Sequence, residues 1–235
     1  MIKDMKIRPP FFEIGPKAFL YGEKMLALAR VIDHAAEKYD VDVIVTPQYT
    51  DIRLLSENTK RIFVFAQHMD NLPVGRGLGS VLPESVKAAG AVGVMLNHAE
   101  KKLTTEVLEQ TIRRADEIGL ATIVCADTLD ELKLIAKMSP NILVAEPTEL
   151  IGTGKTSGND YVKATIEAVR AINPDIMVLQ GAGISNGKDV YNTIMQGAAA
   201  TGTTSGIMKS DEPEAMVDEM LYNLRKAWDE LHPHG

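Results

Sequence analysis

The feature that most constrains this chain is an alternation repeated eight times: a short apolar run, then a longer stretch with apolar residues at three- and four-residue spacing. The apolar runs lie at 11–15 (FFEIG), 41–46, 61–67, 92–97, 121–126, 141–146, 176–181 and 198–204. Most are continuously apolar rather than alternating, the pattern of parallel strands covered on both faces. The eighth, AAATGTT, is weak by composition. The stretches 24–39, 105–119 and 161–174 carry the helical period, and the last two end in Gly and in Asn-Pro. Eight strands each followed by a helix predict a closed, parallel, eight-stranded (β/α)8 barrel. An open doubly wound sheet is the competing architecture, but the G-x-G-x-x-G turn expected after its first strand is missing.

Length and composition agree with one barrel. The 235 residues are 45% apolar, enough for a full core, and no Pro/Ser/Gly linker or low-complexity tract divides the series. A single domain over 1–235 is expected. No window carries the roughly 18–20 uninterrupted apolar residues of a membrane helix. The start MIKDMKIRPP lacks a secretory apolar run. A cytoplasmic protein that binds no membrane is expected. The net charge of −7, with no clustered Lys or Arg, argues against a nucleic-acid surface. Small molecules are the expected partners, anions included, because a few local donors can override the global sign. The single cysteine, Cys125, lies in the apolar run ATIVCA and reads as a small buried hydrophobe.

In a barrel of this kind the loops leaving the carboxyl ends of the strands build the site. The first run leads into Gly15-Pro16-Lys17, the fourth into Asn97-His98-Ala99-Glu100, and the sixth into Glu146-Pro147. Singly, each has an ordinary reading: a solvated lysine, a satisfied histidine, a turn carboxylate. Together they supply a cation, a neutral donor and a base at one rim, which is what proton abstraction beside a carbonyl requires. Glycine-rich segments at 151–158, 181–187 and 204–206 offer bare backbone N–H groups to a phosphate. No metal-ligand cluster is evident, and no metal or organic cofactor is expected, since fixed donors can carry the intermediate's charge.

These segments resemble the triosephosphate isomerase family, particularly its shorter archaeal-type branch. The resemblance runs along nearly the whole chain and is most specific at LNHAEKKL (96–103) and VAEPTELIGTG (144–154). It implies an aldose-ketose isomerase of glycolysis and gluconeogenesis that interconverts dihydroxyacetone phosphate and glyceraldehyde 3-phosphate through an enediolate. Glu146 would be the base, His98 the neutral electrophile and Lys17 the charge-stabilising cation. Glu100 and Asn97 would support them, and the loop around 151–155 would close over the substrate. Gly154, Gly181, Gly183, Ser205 and Gly206 would bind the phosphate.

Two positions depart from the family pattern. Gly15 stands where the family has an asparagine, which removes an amide donor and implies extra room beside Lys17. Ala99 stands where it has a serine, removing a hydroxyl. The extra room suggests an alternative substrate, a four-carbon tetrulose phosphate. A non-catalytic barrel that senses a phosphorylated metabolite is the alternative from another class. The family also implies a homodimer or homotetramer, with the glycine-rich stretch 68–83 as its contact loop. Arg76 in that stretch reads as a solvated arginine. Trp228 reads as part of a helix face that closes onto the barrel, and His232 and His234 as tail residues.

Overall fold

The computed structural model describes residues 1–2, 6–147, 158–181 and 183–233. Eight parallel strands close into a barrel in sequence order: β1 (Phe11–Ile14), β2 (Asp42–Val45), β3 (Ile62–Ala66), β4 (Gly93–Leu96), β5 (Ala121–Ala126), β6 (Ile142–Ala145), β7 (Met177–Gln180) and β8 (Ala200–Thr203). Each falls inside its predicted run, and the ends differ by up to two residues. The helices are α1 (Gly22–Tyr39), α2 (Ile52–Asn58), α3 (Pro83–Ala88), α4 (Thr105–Ile118), α5 (Leu129–Ala136), α6 (Asn159–Ile172), α7 (Gly187–Met195), α8 (Ser205–Met208) and α9 (Pro213–Leu231). None of these helices is long and apolar enough to cross a membrane.

Strand pleat sorts side chains into two cores. Phe12, Ile14, Val43, Val45, Val64 and Val94 point outward and pack with the helices; α4, for example, contributes Leu108, Ile112 and Ala115 at helical spacing. Phe11, Ile44, Phe65, Ile123, Ile142, Val144 and Leu179 point inward and fill the barrel. Helix ends follow local chemistry. Thr104 caps α4 by accepting from the Val107 N–H at 3.3 Å, and Gly119 closes it in the left-handed region.

The compositionally weak eighth run does form a strand, and β8 completes the ring by pairing with both β7 and β1. Its polar residues are satisfied locally. The Thr201 hydroxyl donates to the Gln180 carbonyl and the Thr203 hydroxyl to the Ile184 carbonyl, both at 2.7 Å. Gly202 faces inward opposite Glu13 of β1, where a side chain would strike that residue's backbone oxygen at 2.6 Å. At the chain's end, Trp228 of α9 packs against the outer core and stacks on His232 at 3.9 Å.

Gly93 marks the tightest inward packing. A Cβ there would lie 2.1 Å from the fully buried Phe65 ring. Gly93→Ala is expected to destabilise the fold by about 1–3 kcal/mol through overpacking, read as a lower midpoint in urea or thermal unfolding.

Candidate active site

The carboxyl ends of the strands surround a cavity of about 410 Å³. Lys17 leaves β1 through a left-handed turn, with φ of 48°, a conformation a non-glycine residue adopts only when its surroundings hold it. Two glutamines hold it here: Gln48 Nε2 and Gln67 Nε2 donate to the Lys17 carbonyl at 2.6 and 2.9 Å. The Lys17 ammonium is thereby aimed at Glu100, with Nζ 2.7 Å from Oε1. The Lys17 contact holds the Glu100 carboxyl below its ordinary pKa.

Asn97 makes the corresponding turn after β4 with φ of 59°, which an asparagine tolerates better than most residues. Its buried amide donates to the Cys125 carbonyl at 2.9 Å and to Glu131 Oε1 at 3.0 Å, and accepts from the Leu103 N–H at 3.1 Å. His98 follows directly. Its Nδ1 accepts from the Glu100 N–H at 3.1 Å. An accepting Nδ1 carries no proton, so the neutral ring keeps its proton on Nε2. Burial, and then the charge of Lys17, lower the His98 pKa and favour this neutral form.

Glu146 emerges from β6 with Oε2 4.0 Å from His98 Nε2. Burial pushes its carboxyl up to about 7, opposed by Lys17 and reinforced by Glu100 and Asp127. Gly181, at the end of β7, leaves space for it: a Cβ there would approach the Glu146 side chain at 3.4 Å and Val144 at 2.8 Å. Gly181, Gly183 and Ser205 line the cavity. Gly206 does not; its N–H donates to Thr203 Oγ1 at 3.2 Å, and its lack of a side chain lets the turn pack against the Ile184 carbonyl. Gly154 and the 151–155 loop lie outside the described residues. Among those described, no group of three or more His, Cys, Asp or Glu residues could hold a metal ion.

Sequence reasoning passed over several groups here. Gln48 and Gln67 are strand-end polar residues that fix Lys17, and Glu131 supports Asn97. Lys209, after α8, brings a further cation to the cavity. The most informative omission is Glu13, a carboxylate inside the apolar run FFEIG, which faces into the cavity while being only 9% exposed. Thr46 Oγ1 donates to its Oε1 at 3.0 Å. Glu13 also corrects the reading of Gly15 as open space. A Cβ at Gly15 would lie 3.1 Å from Glu13 Oε1 and 3.4 Å from the hydroxyls of Thr46 and Thr204. Cys125 is buried as expected, and it too lies on the cavity wall.

The sequence profile of the triosephosphate isomerase family matches residues 17–220. The chain belongs to the triosephosphate isomerase family. Among its relatives, a triosephosphate isomerase of Sulfurisphaera tokodaii is 36% identical over 227 residues, 95% of this chain and 99% of the relative. One from Methanobacterium bryantii is 38% identical over 206 residues, 86% of this chain and 91% of the relative. One from Methanocaldococcus jannaschii is 36% identical over 203 residues, 85% and 92% respectively. The profile match to the triosephosphate isomerase family begins at Lys17, so β1 with Glu13 and Gly15 precedes it.

Burial pushes the Glu13 carboxyl up to about 8 from an ordinary value of 4.5. Between these values the folded chain holds a proton that the unfolded chain has lost, so this group makes stability fall as pH rises through the window and level off above it. Glu146 adds the same trend up to about pH 7. Glu13→Gln is expected to flatten the decline. The variant should match the parent near pH 5 and exceed it by on the order of a few kcal/mol near pH 9, in urea unfolding at both pH values.

Proposed function

We propose that the chain interconverts dihydroxyacetone phosphate and glyceraldehyde 3-phosphate. The observation that carries the reading is the facing pair of His98 Nε2 and Glu146 Oε2, 4.0 Å apart across the mouth of the cavity. Family membership supports the triose phosphate as substrate.

In this mechanism the Glu146 carboxylate removes a proton from C1 of the ketose and returns it to C2 of the enediolate. His98 presents its Nε2–H to the oxygens on which negative charge develops, and Lys17 lies beside them as a fixed cation. Glu100 keeps Lys17 aimed, and Asn97 sets the turn that points His98 inward. Gly181, Gly183 and Ser205 take the phosphate, with Gly206 behind Ser205, and the family resemblance adds Gly154 to this set. The intermediate's charge is held by these fixed donors, and no cofactor enters the scheme. The argument for a four-carbon substrate from space at Gly15 loses its basis, because Glu13, Thr46 and Thr204 occupy that space.

The enzyme of this proposal works in the cytoplasm as a homodimer or homotetramer. Loop 70–81 supports an intersubunit contact. The Asp70 carboxylate accepts from the Val81 N–H at 2.7 Å, and the Asp70 N–H donates to the Val81 carbonyl at 3.0 Å. This clamp projects a tip whose Leu78 is fully exposed. Phe19, Tyr21 and Tyr49 supply further exposed apolar surface. Leu78→Asp is expected to shift the particle mass toward the monomer in analytical ultracentrifugation; an unchanged mass would remove this loop from the interface.

A coupled assay with dihydroxyacetone phosphate tests the activity. Glu146→Gln should lower kcat by roughly two to four orders of magnitude while the fold is retained. Since the base must be ionised, kcat/KM in the parent should climb about tenfold per pH unit below about 7 and then flatten, following the Glu146 carboxyl. Turnover of a tetrulose phosphate with negligible triose activity would overturn the substrate. Phosphate-ligand binding with no turnover of either would overturn the enzyme.

A further inference from the structure

Glu13 has no counterpart in the mechanism above, yet its position is built. Among the described strand residues that line the cavity it is the one carboxylate, sharing the wall with the apolar Met95, Val144 and Leu179. Room for it comes from two glycines. Gly202, its partner in the β1–β8 ladder, would carry a Cβ 3.1 Å from Oε2 and 2.9 Å from the Glu13 Cβ, and Gly15 would carry one 3.1 Å from Oε1. Thr46 Oγ1 donates to Oε1, and among the described residues the carboxyl makes no other hydrogen bond and no ion pair. Lys17, the cation whose charge acts on Glu13, is engaged by Glu100. A buried, unpaired carboxylate is strongly disfavoured, whereas a carboxylic acid in the same place is a good donor. With Oε1 taken as an acceptor by Thr46, the proton belongs on Oε2, and the side chain lines the same cavity as Lys17, His98 and Glu146.

We propose that Glu13 is a specificity-determining, substrate-binding residue: a carboxylic acid that donates its O–H to an oxygen at the sugar end of the bound phosphate ester. It takes over the donor role that glycine at position 15 leaves vacant. The proposal rests on the isomerase reading for the identity of the substrate, while the binding site itself rests on the packing of Glu13, Gly15, Gly202 and Thr46.

The electrostatics agree. Burial is the main force that keeps the proton on Glu13; Thr46 opposes it, Glu146 reinforces it and Lys17 opposes it. The titratable groups that face Glu13 are Glu146 after β6, Cys125 on β5 and Lys17 at the end of its own strand. Ionisation at alkaline pH would remove the donor and set a negative charge beside an anionic substrate.

Glu13→Ala, Glu13→Gln and the pair Glu13→Ala with Gly15→Asn test this. The first should lower kcat/KM for dihydroxyacetone phosphate by about 10- to 100-fold, the effect of one lost buried hydrogen bond to substrate. Glutamine keeps a donor and should lose no more than about fivefold. It should also lack the parent's decline in kcat/KM above about pH 8. Gly15→Asn should recover turnover in the alanine background and reduce it in the parent, where it meets Glu13.

Calorimetry with glycerol 3-phosphate and with inorganic phosphate makes the comparison without turnover. Glu13→Ala should weaken the first ligand and leave the second unchanged, which collapse of the pocket would not do. Equal kcat/KM in the alanine variant and the parent, equal losses in the alanine and glutamine variants, or equal weakening of both ligands would overturn the role. A parent that binds glycerol 3-phosphate through Glu13 but turns over no triose phosphate would sink the isomerase reading and leave the binding role standing.

Discussion

The ladder between β1 and β8 is the constraint on which the rest depends. Closing the ring divides every strand residue between an outer core shared with the helices and an inner core shared only with other strands. It also gathers the ends of β1, β4, β6, β7 and β8 at one mouth. Residues as far apart in the chain as Lys17 and Glu100 then meet at hydrogen-bond distance. Without closure, Glu13 would lie at a sheet edge and Gly202 would have no carboxyl to accommodate.

Within that frame the site is an arrangement of opposed electrostatic demands. Burial raises the Glu146 carboxyl toward neutrality, where it exchanges protons readily, and lowers the basicity of His98, which stays a neutral donor. Lys17 acts on both in the same direction, favouring the ionised base and the uncharged ring. The Glu100 backbone N–H fixes the tautomer of His98 while its carboxylate fixes Lys17, so one residue orients two neighbours through different atoms.

Most of the fold was legible because buried parallel strands leave continuous apolar runs; seven did so, the weak eighth was read from its place in the alternation, and all eight fell within two residues at their ends. The rim residues Lys17, His98 and Glu146 were legible because polar groups that directly follow such runs stand out. Gln48 and Gln67 have the same signature, but their role lies in bonds to a backbone carbonyl, which residue type does not announce. The surroundings of Gly15 were misread because absence of a side chain suggests space only until the neighbouring strands are in place. Glu13 broke the apolar pattern in plain view. Its meaning required the register that sets it against Gly202.

That register also limits how this pocket can change over evolutionary time. Positions 13 and 15 share one volume, so a larger residue at 15 crowds the carboxylate at 13, whereas a side chain at 202 meets the Glu13 backbone oxygen whatever side chain stands at 13. A lineage moving between an amide at 15 and a carboxyl at 13 therefore avoids crowding by passing through an intermediate with neither. That route relieves the crowding but runs through a chain with a weakened donor set, which gives each solution a reason to persist once reached.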